Sequence, residues 1–274
     1  MSLILIPVVC PVKQKNGLAK NACLAEPLRV LPLRENLPTC MVHNAHYSPG
    51  TPGTLLPRFL SGAKHSSPYV KICGVTNPDD AFTAIECGAD ALGFNLFPGS
   101  KRFLNLETAR NWIAELPDQV ARVAVGVNPE FSVAEAWLEG DLFHALQLHG
   151  QGWYSLVDQL IATRKPLIAA IQVQRDGSQP VDFEWFHGFA LMFDGHRDGD
   201  FGGTGKTFSW SLLSRLTIDK PIILAGGLKP ENIRTAIKMT NPYAVDVATG
   251  VESEPGKKDH AKMRDFITAV REAQ

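Results

Sequence analysis

An alternation of short apolar runs with helix-forming segments occupies residues 67–274 and constrains the fold more than any other feature. The eight runs are Tyr69–Cys73, Ala91–Leu96, Arg122–Val127, Ala145–Leu148, Leu167–Val173, Phe189–Phe193, Pro221–Ala225 and Ala244–Ala248. Strands that are apolar throughout and are each followed by a helix are parallel strands covered on the outside. Eight such units in about 200 residues predict a single (β/α)8 (TIM) barrel, with a doubly wound open sheet as the alternative.

Residues 1–66 have a different composition and precede the predicted barrel domain, residues 67–274. They contain 8 of the 19 prolines and carry a net charge of +5, and no stretch keeps a helical or strand period. This pattern favours an irregular or disordered extension with few packed contacts to the barrel. An organelle-targeting presequence is an alternative that the prolines oppose, and a protein start at Met41 is another.

The overall composition narrows the class of protein. The formal net charge is -1 and no apolar run is long enough to span a bilayer, so neither nucleic acid nor a membrane is expected as a partner. The five cysteines lack regular spacing, which argues against a disulfide framework and favours a reducing, cytoplasmic location. The histidines show no metal-ligand spacing, and no metal site is predicted.

The carboxyl ends of the barrel strands are the expected location of an active site. The loops after strands seven and eight contain Gly226-Gly227 and Thr249-Gly250, and such loops frequently bind phosphate in barrels. A third glycine-rich loop, 202–205, follows strand six and offers Gly203 as another backbone donor. These loops predict a phosphorylated small molecule as the ligand, although each glycine pair alone is also typical of a tight turn.

Three side chains at these strand ends are candidates for chemistry. Asp194 ends strand six as a possible acid–base group, although it also suits an ordinary capping role. Cys73 ends strand one on the same face as Lys71, whose charge would stabilise a thiolate, although a cysteine there is commonly a core residue. Arg102, in the loop after strand two, would suit a carboxylate if it is not simply solvated.

The combined pattern resembles the phosphoribosylanthranilate isomerase family of tryptophan biosynthesis. The matching motifs cover about residues 69–272 and are Lys71-Ile72-Cys73-Gly74, Gly93-Phe94-Asn95 with Ser100 and Arg102, Val125-Gly126-Val127, Gln147-Leu148-His149-Gly150, Asp194, Gly202 to Phe208, Leu224 to Leu228, Val245-Asp246-Val247 and Gly250-Val251-Glu252. The resemblance implies a (β/α)8 barrel that works without a cofactor, as a monomer or homodimer. It implies an aldose–ketose isomerase that converts N-(5-phosphoribosyl)anthranilate to 1-(2-carboxyphenylamino)-1-deoxyribulose 5-phosphate by an Amadori rearrangement.

The resemblance also implies a role for each candidate residue. Cys73 matches the general base, Asp194 the general acid, and Arg102 the arginine that binds the anthranilate carboxylate. His149 is expected to contact the substrate, and the phosphate is expected at Gly203, Gly226, Gly227, Thr249 and Gly250. The alternatives are another sugar-phosphate barrel isomerase and a non-catalytic barrel that binds a phosphometabolite. An acid of this kind needs a raised pKa in a dry pocket, and the base needs nearby positive charge.

Overall fold

Eight parallel strands close into a barrel in a computed structural model that describes residues 57–150, 156–173, 186, 188–195, 210–215 and 218–273. Each strand pairs with the next in sequence, and β8 pairs with β1 through the register Lys71–Asp246. The strands are β1 (Tyr69–Cys73), β2 (Ala91–Asn95), β3 (Ala121–Val127), β4 (Ala145–His149), β5 (Leu167–Val173), β6 (Ala190–Gly195), β7 (Ile222–Leu224) and β8 (Ala244–Val247). The predicted closed barrel is therefore confirmed, and the open sheet is wrong.

Helices follow the strands on the outside of the barrel. They are α1 (Pro78–Glu86), α2 (Leu106–Ala114), α3 (Phe131–Leu138), α4 (Val157–Ile161), α5 (Ile233–Thr240) and α6 (His260–Arg271). Helix α1 begins as predicted, because the Asn77 side chain accepts a 2.8 Å hydrogen bond from the Asp80 N–H at its first turn. The helix predicted after β6 is a 3-10 helix, Trp210–Arg215, and the one predicted at 182–187 lies outside the described residues apart from Phe186.

A small antiparallel hairpin between β8 and α6 was not predicted. Its strands are β9 (Glu252–Glu254) and β10 (Lys257–Lys258), and part of it occupies residues where the sequence predicts the last helix. Helix α6 begins only after Asp259, whose carboxylate accepts hydrogen bonds from the N–H groups of Ala261 and Lys262. The hairpin therefore lies at the carboxyl end of the barrel, directly after β8.

The amino end of the barrel is filled by apolar side chains. Five strands begin with a fully buried alanine: Ala91, Ala121, Ala145, Ala190 and Ala244. A 3-10 turn, Arg58–Leu60, places Phe59 and Leu60 in the same apolar cluster as these alanines, and both side chains are fully buried. We call these two residues the amino-end plug. Small residues at the strand starts leave the space that the plug fills.

The amino-end plug is also attached by aromatic and polar contacts. The Phe59 ring lies edge-on to Tyr69 and Tyr243, with centroids 6.2 and 6.4 Å apart, and the Tyr243 hydroxyl donates to the Phe59 carbonyl at 2.8 Å. This packing differs from the few contacts expected for residues 1–66. The expectation rested on missing periodicity, but a single buried turn needs no period. Residues 1–56 lie outside the described part of the chain.

No helix among the described residues is long and apolar enough to cross a membrane.

Candidate active site

Cys73 and Asp194 lie at the carboxyl end of the barrel around a buried ion pair. Lys71, fully buried on β1, donates from Nζ to Asp246 Oδ1 of β8 at 2.5 Å. Cys73 is two residues beyond Lys71 on the same strand and is hydrogen-bonded to it. Asp194, on β6, interacts electrostatically with both members of the pair. The closed barrel thus brings together groups that are far apart in the chain.

A glycine on β2 provides the room for the cysteine and the lysine. A Cβ atom at Gly93 would lie 2.8 Å from both the Cys73 sulfur and the Lys71 ammonium nitrogen. Burial raises the pKa of the Cys73 thiol, and Asp246 raises it further, while Lys71 and Lys258 act in the opposite direction. The predicted neighbouring positive charge is present, but burial and the carboxylate outweigh it in the unliganded site.

Asp194 has the environment expected of a general acid. Its residue is 6% exposed, and burial, reinforced by the charge of Asp246, raises its pKa from 3.8 to about 7. The Gly195 N–H and Lys71 lower this pKa only in part. A large fraction of Asp194 is therefore protonated near neutral pH, and its carboxyl can donate a proton there.

Arg102 lies across the end of β1, next to the cysteine. Gly74 has φ +72°, and a Cβ atom there would lie 2.4 Å from Arg102 Cδ, so only glycine allows this approach. The guanidinium donates from Nε and Nη2 to the two oxygens of Glu252, at 2.8 and 2.7 Å, and from Nη2 to Thr249 Oγ1 at 3.1 Å. Arg102 is therefore a fixed, paired group, not a solvated surface charge.

His149 ends β4 and is buried. Burial, with the charge of Lys71, lowers its pKa from 6.5 to about 4, so the ring is neutral over the physiological range. Its Nε2 lies 2.8 Å from the side-chain amide of Gln147, which holds the ring in place. His149 can offer a substrate a neutral hydrogen-bonding group but not a positive charge.

The glycines after β7 and β8 surround one hollow with Asp194. The lining includes Asp194, Gly226, Gly227, Asp246, Thr249 and Gly250. Gly226 has φ +84°, and a Cβ atom there would lie 2.4 Å from the Gly195 nitrogen. A Cβ atom at Gly250 would lie 1.9 Å from the Leu228 carbonyl oxygen. Both glycines make the tight turns that the sequence suggested, and these turns border a single hollow. Gly203 lies outside the described residues.

Three charged residues of this end were given no role from the sequence, although the first two lie in the quoted motifs: Asp246, Glu252 and Lys258. All three are buried, and charged residues are rarely buried unless they are paired. The available signal was an aspartate within the apolar β8 run, facing the same interior as Lys71. The partners of Glu252 and Lys258 are distant in sequence or within the unpredicted hairpin, so no local pattern identified them.

Comparison with known sequences gives one consistent family. The sequence profile of N-(5'phosphoribosyl)anthranilate (PRA) isomerase matches residues 70–269. The N-(5'-phosphoribosyl)anthranilate isomerase of Magnetococcus marinus is 40% identical over 205 residues, which are 75% of this chain and 96% of that protein. The Thermotoga maritima protein of the same name is 42% identical over 201 residues, with 72% and 96% covered.

Solved structures agree with this comparison. The phosphoribosyl anthranilate isomerase of Thermotoga maritima superimposes with a TM-score of 0.63 at 38% identity, covering 74% of this chain and 98% of that one. The Thermus thermophilus enzyme gives a TM-score of 0.66 at 32% identity, with 75% and 100% covered. An isomerase in complex with reduced 1-(o-carboxyphenylamino)-1-deoxyribulose 5-phosphate gives 0.60 at 36% identity, with 74% and 98% covered. The chain belongs to the N-(5'-phosphoribosyl)anthranilate isomerase family.

Proposed function

We propose that this chain isomerises N-(5'-phosphoribosyl)anthranilate to 1-(2-carboxyphenylamino)-1-deoxyribulose 5-phosphate, with Asp194 as the general acid and Cys73 as the general base. One observation carries the assignment of roles. The two groups come from β1 and β6, yet both surround the Lys71–Asp246 pair at one end of the barrel. Two proton-transfer groups on opposite sides of a site suit a sugar whose ring oxygen and C2 are different targets.

The reaction is a sequence of proton transfers. Protonated Asp194 gives its proton to the ribose ring oxygen as the C1–O bond breaks, which opens the ring to an iminium ion. The Cys73 thiolate then removes the C2 proton, and the electron pair of that C–H bond forms the C1–C2 double bond of an enolamine. Tautomerisation of the enolamine gives the ketone. Each such transfer typically contributes a factor of about 10² to 10⁴ in rate.

The protonation states define the active form of the enzyme. The raised pKa of Asp194, about 7, keeps the acid protonated near neutrality. The raised pKa of Cys73 makes the thiolate the minor form of the free enzyme, and the ammonium groups of Lys71 and Lys258 stabilise that minor form. Protonated Asp194 together with ionised Cys73 is therefore the reactive combination.

The two anionic ends of the substrate have separate places. Arg102 lies beside Cys73 and suits the anthranilate carboxylate. The hollow with Gly226, Gly227, Thr249 and Gly250 suits the phosphate, because backbone N–H groups at such turns bind anions. Neutral His149 is placed to hydrogen-bond a sugar hydroxyl. We expect the barrel to act in the cytoplasm as a monomer or homodimer; the Thermotoga maritima isomerase is dimeric, and a solved structure of monomers generated from it is 36% identical to this chain.

A fluorescence assay tests the proposed activity. Purified full-length protein is added to enzymatically made phosphoribosylanthranilate, and loss of anthranilate-type fluorescence with formation of the ketose is followed over time. Saturable turnover is expected for the wild-type chain and not for the double variant Cys73→Ala/Asp194→Asn. Binding of the product without any turnover would instead support the phosphometabolite-binding alternative. Turnover of a different aldose phosphate alone would support another sugar-phosphate isomerase.

A further inference from the structure

We infer that the β9–β10 hairpin positions both Arg102 and Cys73, with Glu252 orienting the guanidinium for a substrate carboxylate and Lys258 fixing the strand end that carries the base. The inference rests on the proposed function, and it makes Glu252 and Lys258 positioning residues in that function. The hairpin consists of β9, β10 and the turn between them, and follows β8 immediately.

Glu252 determines which edge of the guanidinium is available. Its two oxygens accept from Nε and Nη2 of Arg102, so this edge of the planar group is occupied by a bidentate pair. Nη2 also donates to Thr249 Oγ1 at 3.1 Å, so within the described part of the chain Nη1 is the nitrogen left for a ligand carboxylate. The Arg102 side chain is only 14% exposed and the Glu252 side chain 3%, so the pair is shielded from water. A substrate carboxylate thus meets a guanidinium of fixed orientation.

Lys258 connects the same carboxylate to the catalytic strand. Its fully buried ammonium donates to Glu252 Oε1 at 2.9 Å and to the Cys73 carbonyl oxygen at 2.6 Å. One buried chain of contacts therefore runs from Arg102 through Glu252 and Lys258 to the backbone of Cys73. These contacts also keep the Glu252 carboxylate ionised. Burial alone would raise the pKa of Glu252, but Arg102 and Lys258 lower it below its ordinary value.

The charge balance explains why three buried ionic groups are present. Two cations and one carboxylate leave the group with one net positive charge, which a bound carboxylate would neutralise. Removing Glu252 would leave two buried cations without a partner, a costly arrangement. The conservative change Glu252→Gln keeps the shape of the side chain and removes its charge and one of its two acceptor oxygens, so it is the better probe.

Calorimetric titration with two ligands tests the role of Glu252. The ligands are reduced 1-(2-carboxyphenylamino)-1-deoxyribulose 5-phosphate and its 1-phenylamino counterpart, which lacks the carboxylate. Glu252→Gln is expected to lower the affinity for the carboxylated ligand at least ~10-fold, since a charged hydrogen-bond pair is lost. The affinity for the ligand without the carboxylate is expected to change by less than about twofold. Glu254→Gln is the matched control, because that hairpin carboxylate is exposed and its ion pair is with the exposed Lys257.

Three outcomes would overturn the role of Glu252: unchanged affinity, an equal loss for both ligands, or tighter binding of the carboxylated ligand. Tighter binding would show that the loss of the Glu252 negative charge affects ligand affinity more than the orientation of the Arg102 guanidinium does. The isomerisation assay on the wild-type chain is independent of these titrations. Wild-type turnover together with any of these three outcomes refutes the inference alone, whereas absent wild-type turnover refutes the proposed function.

Lys258→Met tests the connection to the base. It keeps the Arg102–Glu252 pair but removes the donor to the Cys73 carbonyl and one charge that favours the thiolate. We expect kcat to fall ~10-fold or more, with the affinity for the carboxylated ligand changed by less than about threefold. Melting curves verify that the variant is folded. A folded Lys258→Met variant with wild-type kcat would remove Lys258 from the inference.

Discussion

The two ends of the barrel interior differ in chemistry. At the amino end, the starts of five strands are alanines, and Phe59 and Leu60 pack in one apolar cluster with them. At the carboxyl end, buried charged groups face each other, among them Lys71, Asp246 and Asp194. Both ends are built by the same eight strands, so the difference lies in which side chains face inward at each level.

This difference separates stability from function. Apolar burial at the amino end stabilises the fold through area removed from water and close packing. At the carboxyl end, burial costs stability, because it holds Asp194 where its charged form is disfavoured. The same burial gives Asp194 the raised pKa that an acid needs near neutral pH. The amino end is therefore expected to respond to substitution in unfolding experiments, and the carboxyl end in kinetics.

The largest effects are expected from removing the acid or the base. Cys73→Ala, Cys73→Ser and Asp194→Asn should each lower kcat by at least ~10²-fold, with KM changed much less because binding depends on other groups. Steady-state kinetics with phosphoribosylanthranilate measures both constants. Cys87→Ala, at a second free cysteine located directly after α1, is the matched control and should retain turnover. Near-wild-type turnover of Cys73→Ala would make Cys73 a core residue and refute the mechanism.

Phe59→Ala is expected to lower stability and to leave catalysis nearly unchanged, the reverse of the acid and base variants. Truncating this fully buried ring should lower the free energy of unfolding by about 3–5 kcal/mol, as for other buried phenylalanines, and leave kcat within about twofold. Denaturant unfolding and kinetics on the same sample provide the two readouts. Phe82→Ala, at a ring that is 40% exposed on α1, is the control and should cost far less. A stable Phe59→Ala variant with reduced kcat would contradict the separation of the two ends.

A pH-dependent effect on stability is expected from Asp194. A carboxyl whose pKa is raised from 3.8 to about 7 binds its proton more tightly in the folded state, so stability falls as pH rises between these values. The full penalty is roughly 4 kcal/mol when the group is ionised in both states. Asp194→Asn should therefore raise the melting temperature at pH 8 and give no such gain below pH 4. Equal gains at both pH values would show that ionisation is not the cause.

The strands were predictable because buried parallel strands are continuous apolar runs. β1 and β5 were predicted with their observed bounds, Tyr69–Cys73 and Leu167–Val173, and the other six strands within one or two residues at each end. The repeated strand–helix unit predicted parallel strands and favoured a closed barrel, but it left an open sheet as the alternative, which only the pairing of β8 with β1 rules out. The candidate acid and base were identified because each ends an apolar run, and a barrel brings all such ends to one face.

The remaining features depend on contacts that no local pattern reveals. The amino-end plug is a single turn in a proline-rich stretch, and it precedes the region matched by the family, residues 70–269. Glu252 contacts Arg102 across 150 positions, and Lys258 contacts Cys73 across 185. The hairpin that holds them is short and polar, with four charged residues among its seven, so its sequence indicates solvent exposure. Only the folded chain shows that two of these charges are buried.

The attachment of the amino-end plug has a consequence for the order of folding. Phe59 lies before β1, yet its carbonyl accepts a hydrogen bond from Tyr243, which immediately precedes β8 and is 184 positions away. During synthesis this contact forms only after seven strands have left the ribosome, and contacts of such long sequence separation are slow to form. The Phe59–Tyr69 ring contact joins residues only ten positions apart, but complete insertion of the plug is coupled to the arrival of the last strand.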